Sequence, residues 1–158
     1  MPKNLFLCRH AHTPEALKNQ LDFDRALSPT GVQEATKAGF FIKAFGLIID
    51  EIICSAAVRT RQTAYKIAEV LSYEQSKLKS SQELYNSSAA YILHEIASLP
   101  ESAQTVIIVS HNPAVSQVVS KLINSKVYVP TGGCNYFISE ATEWALVEHE
   151  PFKLHLNY

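Results

Sequence analysis

The order of elements in this sequence predicts an α/β fold: a three-layer α/β/α sandwich around a mostly parallel central sheet with an antiparallel edge. Two observations predict it. Short apolar runs of strand length alternate with segments of helical periodicity, and two further β-rich segments come one after the other near the end. At 158 residues the chain fits one domain, residues 1–158, large enough to bury a core without disulfides or a structural metal. No internal repeat, low-complexity tract or Pro/Gly/Ser linker divides it.

Leu5-Phe6-Leu7-Cys8 is the first apolar run. Val32, Ala35, Gly39, Ile42 and Phe45 then recur at helical spacing, with Ser28 as cap and Pro29 at the first helical position. Thr30 with Gln33 offers a second cap. Ile52-Ile53-Cys54 reads as the second strand, and a helix beginning near Val58 comes next, with Ala64, Ile67, Ala68 and Leu71 on one face. A weak strand from Lys79 to Gln82 precedes a helix carrying Ala89, Ile92, Leu93, Ile96 and Leu99. Thr105 to Val109 is the clearest buried strand. Asn112-Pro113 opens a helix with Val115, Val118, Val119 and Leu122 as its stripe. Beyond Gly132-Gly133, strands are expected at Tyr136 to Ser139 and Trp144 to Glu148, joined as a hairpin through Glu140-Ala141-Thr142.

Hydrophobic residues make up 47% and charged residues 18% of the chain, and the formal net charge is -1. That balance argues against a nucleic-acid backbone as main partner, so any affinity for anions must come from a local cluster. The apolar run near the N-terminus is too short for a signal-peptide core or a membrane span, so neither a membrane partner nor export is expected and the localisation is read as cytoplasmic. Cys8, Cys54 and Cys134 form no CxxC pair and suit reduced, buried thiols.

In open α/β sheets ligands bind beyond the carboxyl ends of the strands. The residues just past each predicted strand are therefore informative. Arg9-His10-Ala11-His12 lies past the first, Ser55-Ala56-Ala57-Val58-Arg59-Thr60 past the second, and Ser110-His111-Asn112-Pro113 past the fourth. Two arginines and two histidines on one rim describe a site for a phosphoryl group. Arg offers a planar fork matched to phosphate oxygens and keeps its charge at every relevant pH. Arg59 also sits near a helix start, where free N–H groups favour an anion. Neutral His10 can attack phosphorus. A protonated His111 can donate to a non-bridging oxygen. These cations already neutralise a phosphate, so no metal and no cofactor is expected.

Arg9-His10-Ala11 resembles the Arg-His-Gly motif of the histidine phosphatase superfamily, whose fold is shared with phosphoglycerate mutases. Ser55 with Arg59-Thr60-Arg61-Gln62-Thr63 resembles that family's second motif, and Ser110-His111 its third. Asp24-Arg25-Ala26-Leu27-Ser28-Pro29-Thr30-Gly31 and Thr131-Gly132-Gly133 are similar to segments of short SixA-type phosphohistidine phosphatases. The resemblance runs in order from residue 5 to about residue 148. It implies a phosphoglycerate mutase-like fold, His10 as the phosphorylated nucleophile, and a pocket of Arg9, Arg59 and His111, with Ser55 and Arg25 as substrate contacts. Ala11 stands where the family usually has Gly.

Glu83 is the one candidate for the general acid that larger members supply. A P–N bond needs less help than a P–O bond, because its leaving nitrogen is readily protonated by solvent. The expected partner is thus a phosphohistidine-bearing protein, with a small phosphorylated substrate as the alternative and a phosphate-binding protein without turnover as a third reading. Cys54, with four residues between it and Arg59-Thr60, raises a cysteine phosphatase as rival, but that chemistry needs five intervening residues and a glycine-bearing loop. His10 and His12 form a His-x-His without a third ligand at suitable spacing, so no metal ligands are assigned.

Overall fold

The computed structural model of the chain describes residues 1–149 and 152–158. One sheet contains β1 (Lys3–Arg9), β2 (Glu51–Ser55), β3 (Lys79–Ser81), β4 (Thr105–Ser110), β5 (Cys134–Ser139) and β6 (Lys153–Asn157). The strands lie in the order β3-β2-β4-β1-β5-β6. The first four are mutually parallel; β5 runs antiparallel to β1, and β6 antiparallel to β5. The fold is the α/β sandwich that the sequence predicts.

Period-2 alternation divides the strand side chains between two layers. Phe6, Cys8, Ile52, Cys54, Ile107 and Val109 point to one face. There they meet Ala38 and Ile42 of α1 (Pro29–Lys43) and Ala64, Ile67 and Ala68 of α2 (Val58–Leu71). Leu5, Leu7, Ile53, Val106 and Ile108 point to the other. That face is covered by Ile92 and Ile96 of α3 (Ala89–Ala97) and Val115, Val118 and Val119 of α4 (Ala114–Ile123).

Ser28 caps α1, its hydroxyl accepting the N–H of Gly31, with Pro29 at the first position. The buried stripe of α1 is Gly31, Ala35, Ala38, Gly39 and Ile42. Val32, expected on that stripe, is exposed. Small residues hold the contact because α1 lies close on α2: a Cβ on Gly39 would stand 2.8 Å from Val70 Cβ. Phe45 lies beyond the helix end and packs on Phe6 and Tyr136, at ring separations of 5.8 and 4.5 Å.

The expected strand at Trp144 to Glu148, and with it the hairpin through Glu140-Ala141-Thr142, is not formed. Trp144–Leu146 is a 3₁₀ turn, and the edge strand is β6. The physical reason is a three-residue period: Ala141, Trp144 and Val147 are buried while their neighbours are not. Trp144 is fully buried, donates its indole N–H to Ala103 O at 2.9 Å and stacks on Phe152. Lys3 is buried beside it, 5.3 Å from the ring centroid, and is satisfied by the carbonyls of Glu101 and Ala103 and the Glu101 carboxylate. No described helix is long and apolar enough to cross a membrane.

Candidate active site

Register brings the predicted residues together. Arg9 at the end of β1 pairs with Ser110 at the end of β4, so the next residues along each strand, His10 and His111, emerge side by side. Their rings are 5.4 Å apart, centroid to centroid. Because Cys54 pairs with Val109, Ser55 emerges next to the same point. The Ser55 hydroxyl and Nε2 of His111 are 2.8 Å apart. The Thr131-Gly132-Gly133 turn holds this strand end: Gly132 N–H donates to His10 O and Arg9 N–H to Gly133 O, both at 3.0 Å.

Contacts select the tautomers. Nδ1 of His10 lies 2.8 Å from Ala11 O, and a carbonyl only accepts, so Nδ1 carries the proton and Nε2 keeps its lone pair. Ser55 is fully buried, and among the described residues Nε2 of His111 is the one acceptor in reach of its hydroxyl proton, so Oγ donates there and the His111 ring proton sits on Nδ1. That Nδ1 is buried and has no partner among the described residues.

Both rings are held neutral. Burial lowers the His10 pKa to about 4, helped by the charges of Arg59, Arg9 and Arg25 and opposed by the Ala11 carbonyl. Burial also lowers His111 to about 3, with Arg59, His10 and Arg9 acting in the same direction and Asp22 against it. The sequence reading allowed a protonated His111. The surroundings make it a neutral N–H donor instead.

Arg59 is buried at the second residue of α2, and no side chain caps the start of that helix. Its Nη1 donates to Asp22 O at 2.7 Å and its Nη2 to Asp22 Oδ2 at 3.0 Å. Tyr85 and Arg25 bind the same carboxylate, at 2.7 and 2.9 Å. Hydrogen bonds from Tyr85, Arg25 and Arg59 hold Asp22 ionised far below the ordinary carboxylate range. The Tyr85 ring also lies 5.7 Å from the His111 ring. Arg9 donates to Tyr128 Oη at 2.8 Å and to Val129 O at 3.2 Å. Asp22, Tyr85 and Tyr128 escaped the sequence reading; they lie in loops without apolar periodicity, and only tertiary contact reveals them.

The remaining predicted residues separate. Ala11 is buried with a negative φ, and its N–H donates to Thr63 Oγ1, so the backbone here does not require glycine. Arg25 is within the electrostatic reach of His10, but its guanidinium is engaged by Pro14 O, Thr13 O and Asp22. Glu83 is exposed and accepts from Ser81 at 3.1 Å, not from either histidine. Nδ1 of His12 turns to Ser28, and no group of three or more metal-ligating side chains gathers among the described residues. Cys54 is fully buried in β2, and desolvation pushes its thiol up to about 12, far from the thiolate a nucleophile needs.

The chain is similar to several known proteins. A Mycobacterium leprae protein is 31% identical over 120 residues, covering 74% of this chain and 71% of that protein. A broad-specificity phosphatase of Saccharomyces cerevisiae is 36% identical over 61 residues, 37% of this chain and 26% of that protein. Among solved structures, a Nakamurella multipartitia protein named "putative phosphohistidine phosphatase SixA" matches with a TM-score of 0.86 at 27% identity, covering 100% of this chain and 96% of that one. The model of the histidine phosphatase superfamily, branch 1, matches residues 5–86. With that match across more than half its length, the chain belongs to the histidine phosphatase superfamily (branch 1).

Proposed function

We propose that this phosphatase-family chain is a metal-independent phosphohistidine phosphatase of the SixA type that works through a phospho-His10 intermediate on a protein substrate. One observation carries the reading: a neutral His10 with its Nε2 lone pair free, beside His111 and under the charges of Arg59 and Arg9. Nε2 attacks phosphorus in line. The Nε2–P bond forms as the P–N bond to the substrate imidazole breaks, and that imidazole takes its proton from solvent. Water then attacks phospho-His10, releasing phosphate and restoring the neutral ring. Arg9, Arg59 and the Nδ1–H of His111 stabilise the charge on the non-bridging oxygens in both steps.

The preference for a P–N bond rests on the carboxylates. Asp22, which contacts Arg59, is held ionised and cannot deliver a proton to an alkoxide, and Glu83 is turned to Ser81. Similarity to the SixA protein supports the same substrate class. A small-molecule phosphomonoesterase using the same site is the second reading, favoured by similarity to the yeast phosphatase.

The test is phosphate release from phosphoramidate and from a phosphohistidine-bearing phosphotransfer domain, both in EDTA, with wild type and His10→Ala. Wild type is expected to turn over and to give an acid-labile phosphoryl group on His10. His10→Ala is expected to lose activity by about a thousandfold or more. Release by the variant at the wild-type rate would sink the proposal, and a requirement for added metal would sink its metal-independent part.

A further inference from the structure

We infer that Asp22 is a positioning residue for Arg59, fixing which edge of that guanidinium meets the phosphoryl group; the inference rests on the phospho-His10 reading above. Asp22 lies in the 3₁₀ turn Asp22–Asp24, within the segment between β1 and α1. Its main-chain carbonyl accepts Nη1 of Arg59 at 2.7 Å, and its Oδ2 accepts Nη2 at 3.0 Å. One N–H from each terminal nitrogen is therefore committed to one residue. A guanidinium has five N–H groups in a plane, so the two-pronged edge left over is the one made by Nε and the neighbouring Nη. The side chain is buried to 7% exposure, which leaves it little freedom to choose another orientation.

The carboxylate is itself fixed by two further side chains. Tyr85, in the segment after β3, donates to Oδ2 at 2.7 Å, and Arg25 donates to Oδ1 at 2.9 Å. Arg25 is in turn tied to the carbonyls of Thr13 and Pro14. Asp22 thus joins three separate stretches of chain at the rim: the segment after β1, the start of α2 and the segment after β3. Tyr85 extends the arrangement, its ring 5.9 Å from Arg59 Cζ and 5.7 Å from His111. An Asn at position 22 keeps the size, yet it has one acceptor oxygen in place of two. Its amide would also direct N–H groups at donors. Arg59 would keep its charge and lose its orientation.

The experiment is a double-mutant cycle on phosphoramidate hydrolysis with Asp22→Asn, Arg59→Ala and the pair, each read as kcat and KM separately. Asp22→Asn is expected to lower kcat/KM about 10- to 100-fold, mostly in kcat, since misdirected guanidinium groups fail chiefly in the transition state. In the Arg59→Ala background the same change is expected to have an effect of less than about twofold, because nothing is left to orient. Tyr85→Phe, which removes one hydrogen bond from the carboxylate, is expected to cost about two- to fivefold on the same logic. Losses that multiply fully in the double variant would mean a structural role unrelated to Arg59 and overturn the inference. So would wild-type kinetics in Asp22→Asn, or a lower KM with kcat unchanged, which would make Asp22 a competitor of the substrate. Failure of the underlying reading is separately visible, because His10→Ala would then remain active.

Discussion

At the scale of single residues, the site depends on which groups are held in which protonation state. Burial does most of this: it keeps His10 and His111 neutral and Cys54 protonated, with the Cys54 thiol pushed up to about 12. Cys54→Ala should therefore keep kcat within about twofold of wild type, measured on a generic aryl phosphate. A loss comparable to that of His10→Ala would return the site to cysteine chemistry. Ser55→Ala probes the other side: it removes the hydroxyl that anchors Nε2 of His111 at 2.8 Å. A drop in kcat of about tenfold or more is expected, with thermal unfolding monitored to separate chemistry from folding. His10, Arg9, Arg59 and His111 were legible in the sequence because each comes after an apolar run that declares itself a strand. Asp22, Tyr85 and Tyr128 were not. A half-exposed aspartate in a loop has no local signature, and its meaning arises only when Arg59 and Tyr85 arrive from residues far along the chain.

At the scale of elements, the helices and strands β1, β2, β4 and β5 were readable because each contributes an apolar face to a two-sided sheet, whereas β3, Lys79-Ser80-Ser81, has no apolar residue and reads only as a weak strand. The C-terminal segment was not readable. Trp144, Leu146 and Val147 have the composition of a strand, but Ala141, Trp144 and Val147 are buried at intervals of three, and the true edge strand β6 exposes every residue. The strand does alternate, Lys153-Leu154-His155-Leu156-Asn157, but with only two apolar residues, both exposed, the pattern is short and buries little. Among turns, Thr131-Gly132-Gly133 matters most for the site, since Gly132 N–H anchors His10 O. Gly132 has φ +70, and a Cβ there would stand 2.7 Å from Glu34 Cβ. Glu34 is not free to yield, as its two carboxylate oxygens accept from His12 N and Thr131 Oγ1. Gly132→Ala is expected to cost about 1–3 kcal/mol in urea unfolding and to lower kcat as well. Unchanged stability would show that the turn relaxes without strain.

At the scale of the whole molecule, the price of a neutral histidine pair appears as acid sensitivity of the fold. His10 titrates at about 4 in the native state, against 6.5 for an unperturbed ring. Between those values the unfolded chain binds a proton that the native protein does not, so stability rises with pH across the window and is lost on acidification through it. His111, at about 3, acts in the same direction over a wider range, and Asp22, held ionised, loses its hydrogen-bonded form at lower pH still. For His10 alone, linkage over pH 7 to 4.5 amounts to about 2 kcal/mol. His10→Gln is neutral at every pH and cannot take part. Urea unfolding at pH 7 and at pH 4.5 should therefore show wild type losing about 2 kcal/mol more than His10→Gln. Carboxylates titrate in both proteins and cancel in that difference. Equal losses would mean that His10 keeps an ordinary pKa in the fold, and the burial that makes it a ready nucleophile at neutral pH would then lack its thermodynamic counterpart.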